Sequence, residues 1–219
     1  MSFTISPFVL YYLYSIEREG DMISFVKILG YEVPLDKASS FDYYVELGLQ
    51  KINPHSLHPR GLQLNAPFVF RSTMCRAEEC VLCSQSTACV ATDLLNEISF
   101  DLRAMCTEAE WIKEGSVVVR RRFIEAFEAD ELPVTMTALL GQAREVVSLC
   151  GDIAEDSDIT LVSHSFRMKI LEAYIRTSGK IVGQPSLIRN YLHEGKKTFQ
   201  FGEGFSVEPT TISFCSSSI

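Results

Sequence analysis

The sequence predicts a single α/β domain, a doubly wound three-layer sandwich built around a mostly parallel central sheet. Ile159 to Val162 is a short, mostly β-branched run that predicts a buried strand, and apolar residues recur at helical spacing from Phe166 onward. Other apolar runs alternate with helical patterns along the chain, which is typical of a doubly wound sheet. The chain has 219 residues, is 47% hydrophobic and contains no linker-like run of proline, glycine or serine. Residues 1–219 are therefore predicted to share one core.

Composition excludes several classes of partner. The net charge of -8, from 20 basic and 28 acidic residues, argues against a general affinity for nucleic acid or anionic membranes. The apolar run from Phe8 to Ile16 lacks a basic flank and a cleavage site and is too short to cross a bilayer. Seven cysteines without a secretion signal favour reduced thiols, which predicts a cytoplasmic protein.

The remaining elements follow from local patterns. Strands are predicted where short apolar or alternating runs are bounded by turn residues, at Phe8–Ile16, Pro67–Phe70, Ile159–Val162, Lys197–Phe201 and Ser206–Phe214. Helices are predicted where apolar residues recur every three or four positions, at Phe25–Leu29, Val45–Ile52, Ala77–Cys83, within Arg103–Asp130, from Pro133 to Leu149 and from Phe166 to Tyr174.

Chemically competent side chains follow several of these apolar runs. Arg18, Arg76 and His164 each come after a predicted strand, and Glu97 follows the short run Leu94-Leu95. Because the carboxyl ends of parallel strands meet at one edge of a sheet, these four side chains are expected to converge. Two arginines and a histidine would hold a phosphoryl group through charge-assisted hydrogen bonds, and a nearby carboxyl group would protonate a leaving oxygen.

The motifs around these residues resemble a known family. The segments Ser72-Thr-Met-Cys-Arg76-Ala77, Leu95-Asn96-Glu97 and Val162-Ser163-His164 are similar, in order and in strand-end position, to motifs of the histidine phosphatase superfamily. The resemblance implies a phosphoglycerate-mutase-like fold without a cofactor or metal ion. It also implies that Arg18, Arg76 and His164 bind phosphate while His164 and Glu97 take part in catalysis.

The first motif departs from the family pattern. Where the family has Arg-His-Gly, this chain has Arg18-Glu19-Gly20, so glutamate replaces the histidine that the family phosphorylates. The negative charge of Glu19 would oppose a phosphate, and phosphohistidine chemistry is expected to be absent. His55 and His58 are the only candidates for a substitute nucleophile.

Three functions remain open at this point. The first is a pseudophosphatase that binds a phosphorylated ligand or a protein partner. The second is a repurposed acid/base catalyst that uses Glu19, Glu97 and His164 on a different substrate. The third is an active phosphomonoester hydrolase or mutase.

The cysteines offer a competing interpretation. Cys75, Cys80 and Cys83 have the spacing of the first three cluster ligands in plant-type ferredoxins, and Cys89 or Cys106 would be the fourth. Such a loop needs small residues near the sulfurs, whereas Glu78, Glu79, Val81 and Leu82 occupy these positions. The favoured prediction is that the cysteines are small apolar residues of a buried helix.

Overall fold

The computed structural model describes residues 23–27, 33–56, 61–83, 87–151, 153, 157–182, 184, 187 and 202–208. The strands are β1 (Ile23–Lys27), β2 (Leu62–Leu64), β3 (Phe68–Ser72), β4 (Val81–Cys83), β5 (Ala88–Thr92), β6 (Ile159–Ser163) and β7 (Gly204–Val207). The α-helices are α1 (Phe41–Gly48), α2 (Cys75–Cys80), α3 (Leu102–Met105), α4 (Glu108–Glu114), α5 (Ser116–Glu128), α6 (Met136–Gly151) and α7 (Ser165–Arg176). A 3-10 turn lies at Asp93–Leu95.

The central sheet has five strands in the order β5-β3-β6-β1-β7. The pairs β5/β3, β3/β6 and β6/β1 are parallel, and only the edge pair β1/β7 is antiparallel within the described sheet. Strands β2 and β4 form a separate parallel pair. A mostly parallel sheet accompanied by helices confirms the predicted α/β class.

Strand β1 corrects the sequence analysis, which predicted a helix across residues 25–29. Ile23 and Phe25 are buried with the less buried Ser24 between them, and the ring of Phe25 stacks on Phe205 of β7 with centroids 4.5 Å apart. A short apolar run does not by itself distinguish strand from helix, and here pairing with β6 and β7 decides for the strand. The predicted strand Phe8–Ile16 lies outside the described residues.

The other elements agree with the predictions to different degrees. Strands β3 and β6 and helices α6 and α7 are confirmed, and residues 102–128 hold helices α3, α4 and α5. The helix predicted at 77–83 ends at Cys80, because Val81 to Cys83 pair with β2 as strand β4. Strand β5 was not predicted, since its residues are mostly exposed and lack an apolar alternation. Strand β7 overlaps the run predicted from Ser206, whereas the predicted strand at 197–201 lies outside the described residues.

The main core fills the space between the sheet and helices α5, α6 and α7. Its fully buried members include Phe123, Leu139, Val146, Leu161 and Leu171. The ring of Phe166, at the start of α7, stacks on Phe123 with centroids 3.9 Å apart, which fixes the beginning of α7 next to the end of β6. None of the helices in the described part of the chain combines the length and the apolar character needed to span a bilayer.

Candidate functional site

The candidate site lies where β3 and β6 end side by side. The two strands are parallel, with Arg71 paired to Val162, so their carboxyl ends reach the same edge of the sheet. His164 follows β6 directly and is the N-cap residue of α7, with an extended backbone. Ser72 is the last residue of β3, and α2 begins three residues later with Cys75. This arrangement brings the side chains of Ser72, Arg76 and His164 together.

Both ring nitrogens of His164 are hydrogen-bonded within the protein. The Nε–H of Arg76 donates to Nδ1 of His164 at 3.2 Å, and Nε2 of His164 lies 2.9 Å from Oγ of Ser72. Because a guanidinium group can only donate, Nδ1 is the acceptor and the proton of the neutral ring is on Nε2. The exposed fractions of His164, Arg76 and Ser72 are 4%, 7% and 0%. The imidazole is thus enclosed and held in one tautomer.

The hydrogen bonds continue from Ser72 to Asn96. Oγ of Ser72 donates to Oδ1 of Asn96 at 2.6 Å and accepts the backbone N–H of Met74 at 3.1 Å. Oδ1 of Asn96 also accepts the backbone N–H of Thr73 at 3.0 Å. A directed chain therefore runs from Arg76 through His164 and Ser72 to Asn96, and it ties the turn after β3 to the segment after β5.

Glu97 is engaged at the amino end of α7. Its Oε1 accepts the backbone N–H groups of Ile98 at 3.0 Å and Arg167 at 3.1 Å, and its Oε2 accepts that of Phe166 at 3.3 Å. These helix N–H groups are the ones that would otherwise bind an anion at this position. The carboxylate of Glu97 thus takes the place that a phosphate would take at the start of α7.

Arg167 is a buried charge that the sequence analysis missed. Its exposed fraction is 4%, and its Nε–H donates to the carbonyl oxygen of Asn96 at 2.9 Å. Burial lowers the pKa of the Arg167 guanidinium, and the neighbouring charge of Glu97 opposes that shift. Its Nη1 has no hydrogen-bond partner among the described residues. The sequence did contain an indication, because Arg167 lies one turn after His164 on a helix whose neighbouring positions are apolar.

Ser72 and Asn96 were also missed as members of the site. Both stand inside the motifs quoted for the family resemblance, next to the strand ends that were expected to converge. A hydroxyl and an amide at such positions are the expected partners of a buried imidazole, because a buried polar ring needs hydrogen bonds on both sides.

The structure does not test the first motif, because Arg18 and Glu19 lie outside the described residues. It does show that the strand beside β6 begins at Ile23, after these residues in the sequence. Lys27, the last residue of β1, pairs with Ser163, and Ile28-Leu29-Gly30 follow it in the sequence. None of these is a histidine. The placement of Arg18 and Glu19 at the site remains a prediction.

The cysteines do not form the cluster that their spacing allowed. Among the described residues, the one group of three potential ligands that converges is His55, Cys75 and Glu79, without Cys80 or Cys83. Cys80 is buried in α2 and lies 2.7 Å from Oγ of Ser56. The prediction of one buried helix is also wrong for Cys83 and Cys89, which lie in β4 and β5 with Cys89 exposed.

One of the two candidates for a substitute nucleophile, His55, lies within the described residues. His55 is exposed and forms a hydrogen bond through Nδ1 with the carboxylate of Glu79, on α2. His58 lies outside the described residues. His55 therefore contacts Glu79 and, at 3.9 Å, Sγ of Cys75.

Among known proteins, the matches to this chain are solved structures with a similar fold. No family model matches the chain, and no curated protein matches it. A mycobacterial glucosyl-3-phosphoglycerate phosphatase is similar with 11% identity and a TM-score of 0.44, over 83% of this chain and 87% of the other. A protein described as mycobacterial hydrolase 1 is similar with 12% identity and a TM-score of 0.46, over 86% and 89%.

A third similar structure is a histidine-to-alanine variant of phosphoserine phosphatase from Entamoeba histolytica in complex with phosphoserine. It has 12% identity and a TM-score of 0.42, over 85% of this chain and 88% of the other. With all three TM-scores below 0.5, these similarities carry no argument about what this chain does.

Proposed function

We propose that this chain is a degenerate histidine phosphatase, a pseudoenzyme that binds a phosphorylated ligand or a protein partner and does not transfer phosphoryl groups. The observation that carries the proposal is the saturation of the buried His164 ring. Nδ1 accepts from Arg76 and Nε2 is engaged by Ser72, so both ring nitrogens have partners inside the protein. An imidazole that is to bind a phosphoryl oxygen needs a donor directed at the ligand.

The absence of a nucleophile supports the same conclusion. The first histidine of the chain is His55, well after both the Arg18-Glu19-Gly20 motif and strand β1. The residues that follow β1 in the sequence are Ile28, Leu29 and Gly30, none of which has a side chain able to attack phosphorus. A phosphohistidine step at this edge of the sheet is therefore not expected.

Glu97 adds an electrostatic reason. Its carboxylate already accepts the N–H groups at the start of α7, so a phosphate at that position would meet a negative charge instead of free donors. At an effective dielectric constant near 20, two like unit charges about 4 Å apart repel by about 4 kcal/mol.

The two kinds of ligand make different demands on the site. A phosphorylated ligand at His164 would have to replace the hydrogen bond from Ser72 or from Arg76, whereas a protein partner bound elsewhere leaves the network intact. Titration calorimetry with inorganic phosphate distinguishes them. Phosphate binding that is weakened by Arg76→Ala supports the phosphorylated ligand. No detectable binding of phosphate supports the protein partner.

Activity assays test the pseudoenzyme itself. Purified protein is expected to hydrolyse p-nitrophenyl phosphate and phosphoserine at the background rate and to yield no acid-labile phosphoenzyme. Turnover at ordinary enzymatic rates that is abolished by His164→Ala would overturn the proposal in favour of an active phosphatase. Turnover abolished by His55→Ala or His58→Ala would also overturn it.

A further inference from the structure

Helix α2 also carries a second polar cluster, next to the face that contributes Arg76 to the contact with His164. Arg76, Ala77 and Cys80 are the buried residues of this helix, and Arg76 contacts His164. Cys75 and Glu79 are four residues apart, which places them on one side of the helix. That side packs against the segment 53–56, which contributes His55.

Three different ligand atoms converge there. Sγ of Cys75 lies 3.9 Å from Nδ1 of His55 and 3.6 Å from Oε1 of Glu79. His55 Nδ1 and Glu79 Oε1 are in direct hydrogen-bond contact. All three atoms lie within 4.8 Å of one another. In a tetrahedral zinc site, ligand atoms at about 2.0–2.3 Å from the ion are about 3.4–3.6 Å apart. The two sulfur distances are close to that range, and the third edge would widen when the ion replaces the hydrogen bond.

We propose that Nδ1 of His55, Sγ of Cys75 and Oε1 of Glu79 bind one divalent transition-metal ion, with zinc as the best match, and leave its fourth position open. A nitrogen, a sulfur and an oxygen donor suit zinc far better than magnesium or calcium, which take oxygen ligands. Three protein ligands with an open position are typical of zinc sites that bind water or substrate.

The surroundings of the cluster hold its ligands in place. Oε2 of Glu79 accepts the backbone N–H of Ser56 at 2.7 Å, which leaves Oε1 directed at the other two ligands. The buried contact between Ser56 and Cys80 fastens the same segment to α2. Such contacts around the ligands orient a metal site before the ion arrives.

One ligand of the cluster, His55, lies at an accessible surface. The side chain of His55 is 79% exposed. His55 also lines a groove of about 320 Å³, together with Pro34, Tyr43 and Pro54. A small molecule bound in this groove would therefore lie next to a metal ligand.

Charge balance favours a divalent ion. The thiolate of Cys75 and the carboxylate of Glu79 carry two negative charges, which one divalent cation neutralises. A bound divalent ion stabilises the thiolate form of Cys75, so binding releases the thiol proton.

The geometry does not suit a cysteine nucleophile activated by a base. In such an arrangement the nucleophile and the orienting carboxylate contact opposite nitrogens of the imidazole. Here both Cys75 and Glu79 approach the same nitrogen, Nδ1 of His55. Convergence on one point is expected of metal ligands.

Metal titration tests the proposal. Full-length protein is stripped with chelator under a phosphine reductant and titrated with zinc by calorimetry and with cobalt by absorption spectroscopy. One ion per chain is expected, with thiolate-to-cobalt charge transfer that is lost in Cys75→Ser. Cys75→Ser, His55→Ala and Glu79→Gln should each weaken zinc binding at least about tenfold, the scale seen when a metal site is altered.

A matched variant makes the result decisive. Cys89→Ser changes an exposed cysteine outside the cluster, so zinc affinity should stay unchanged. Circular dichroism of each variant verifies that it is folded. Failure to bind either ion would overturn the proposal, as would binding that survives Cys75→Ser or that is lost equally in Cys89→Ser. The proposed lack of phosphatase activity is measured separately and does not depend on this outcome.

Discussion

Helix α2 lies between two polar clusters that have similar chemistry and different surroundings. On its buried face, Arg76 joins His164 and Ser72 in a network whose members are at most 7% exposed. On the same helix, Cys75 and Glu79 meet His55, whose side chain is 79% exposed. Each cluster is centred on its own imidazole, that of His164 in the first and that of His55 in the second. From this difference we expect His164 to have a structural role, and we expect the partners of the exposed His55 to be exchangeable.

The largest expected contrast is in stability. His164→Ala removes both hydrogen bonds of the buried network and leaves Arg76 without this acceptor, so the free energy of unfolding should fall by about 3 kcal/mol. His55→Ala, measured in chelator, should change it by less than about 0.5 kcal/mol because that residue is exposed. Urea unfolding followed by circular dichroism gives both values. Equal losses would mean that the two histidines do not differ in structural role.

A smaller effect is expected at the amino end of α7. Glu97→Ala removes the acceptor of three backbone N–H groups and a negative charge at the positive end of the helix dipole. Unfolding free energy should fall by about 1–2 kcal/mol. Glu78→Ala, at an exposed pair with Arg71, is the control and should change it by less than about 0.5 kcal/mol. If Glu97→Ala left the free energy of unfolding unchanged or raised it, Glu97 would have a chemical role in place of a structural one.

The smallest effect concerns the reactivity of Cys75 in metal-free protein. Burial raises the pKa of this thiol, and the charge and hydrogen bond of Glu79 raise it further. Glu79→Gln removes the charge, so the pKa falls, the thiolate fraction at a given pH rises and alkylation by iodoacetamide becomes faster by a few-fold.

Peptide mass spectrometry of alkylated protein measures this rate for each cysteine in one experiment. Cys150 is the internal control, because burial raises the pKa of its thiol to about 12 and Glu79 is not among the causes. An unchanged Cys75 rate in Glu79→Gln would contradict the contact between the two side chains.

The sequence was sufficient for the parts of the fold with strong periodicity. Helix α6 and the unit β6–α7 have long apolar stripes or a fully buried strand, and both were predicted close to their observed bounds. Strand β1 was predicted as a helix because a five-residue strand is too short to show its period. Strand β5 was missed because it is mostly exposed, so that no burial pattern marks it.

The same contrast holds for the two clusters. Arg76 and His164 could be expected to meet, since both follow strands that are neighbours in a parallel sheet. His55, Cys75 and Glu79 could not, because His55 comes from a turn whose position depends on packing against α2. Cys75 was grouped with Cys80 and Cys83 by linear spacing, although its partner on the same helix face is Glu79, four residues along.

The directed chain from Arg76 to Asn96 has a consequence for proton movement. A proton can hop along a hydrogen-bonded chain only if every bond reverses, with the first donor accepting in turn and the last acceptor passing its proton on. The guanidinium of Arg76 has no lone pair to accept with, and the amide oxygen of Asn96 is a very weak base. Both ends of the chain are therefore blocked. His164 and Ser72 resemble a proton relay, but protons are not expected to move along these hydrogen bonds. The ring of His164 should therefore keep the same tautomer as long as the protein is folded.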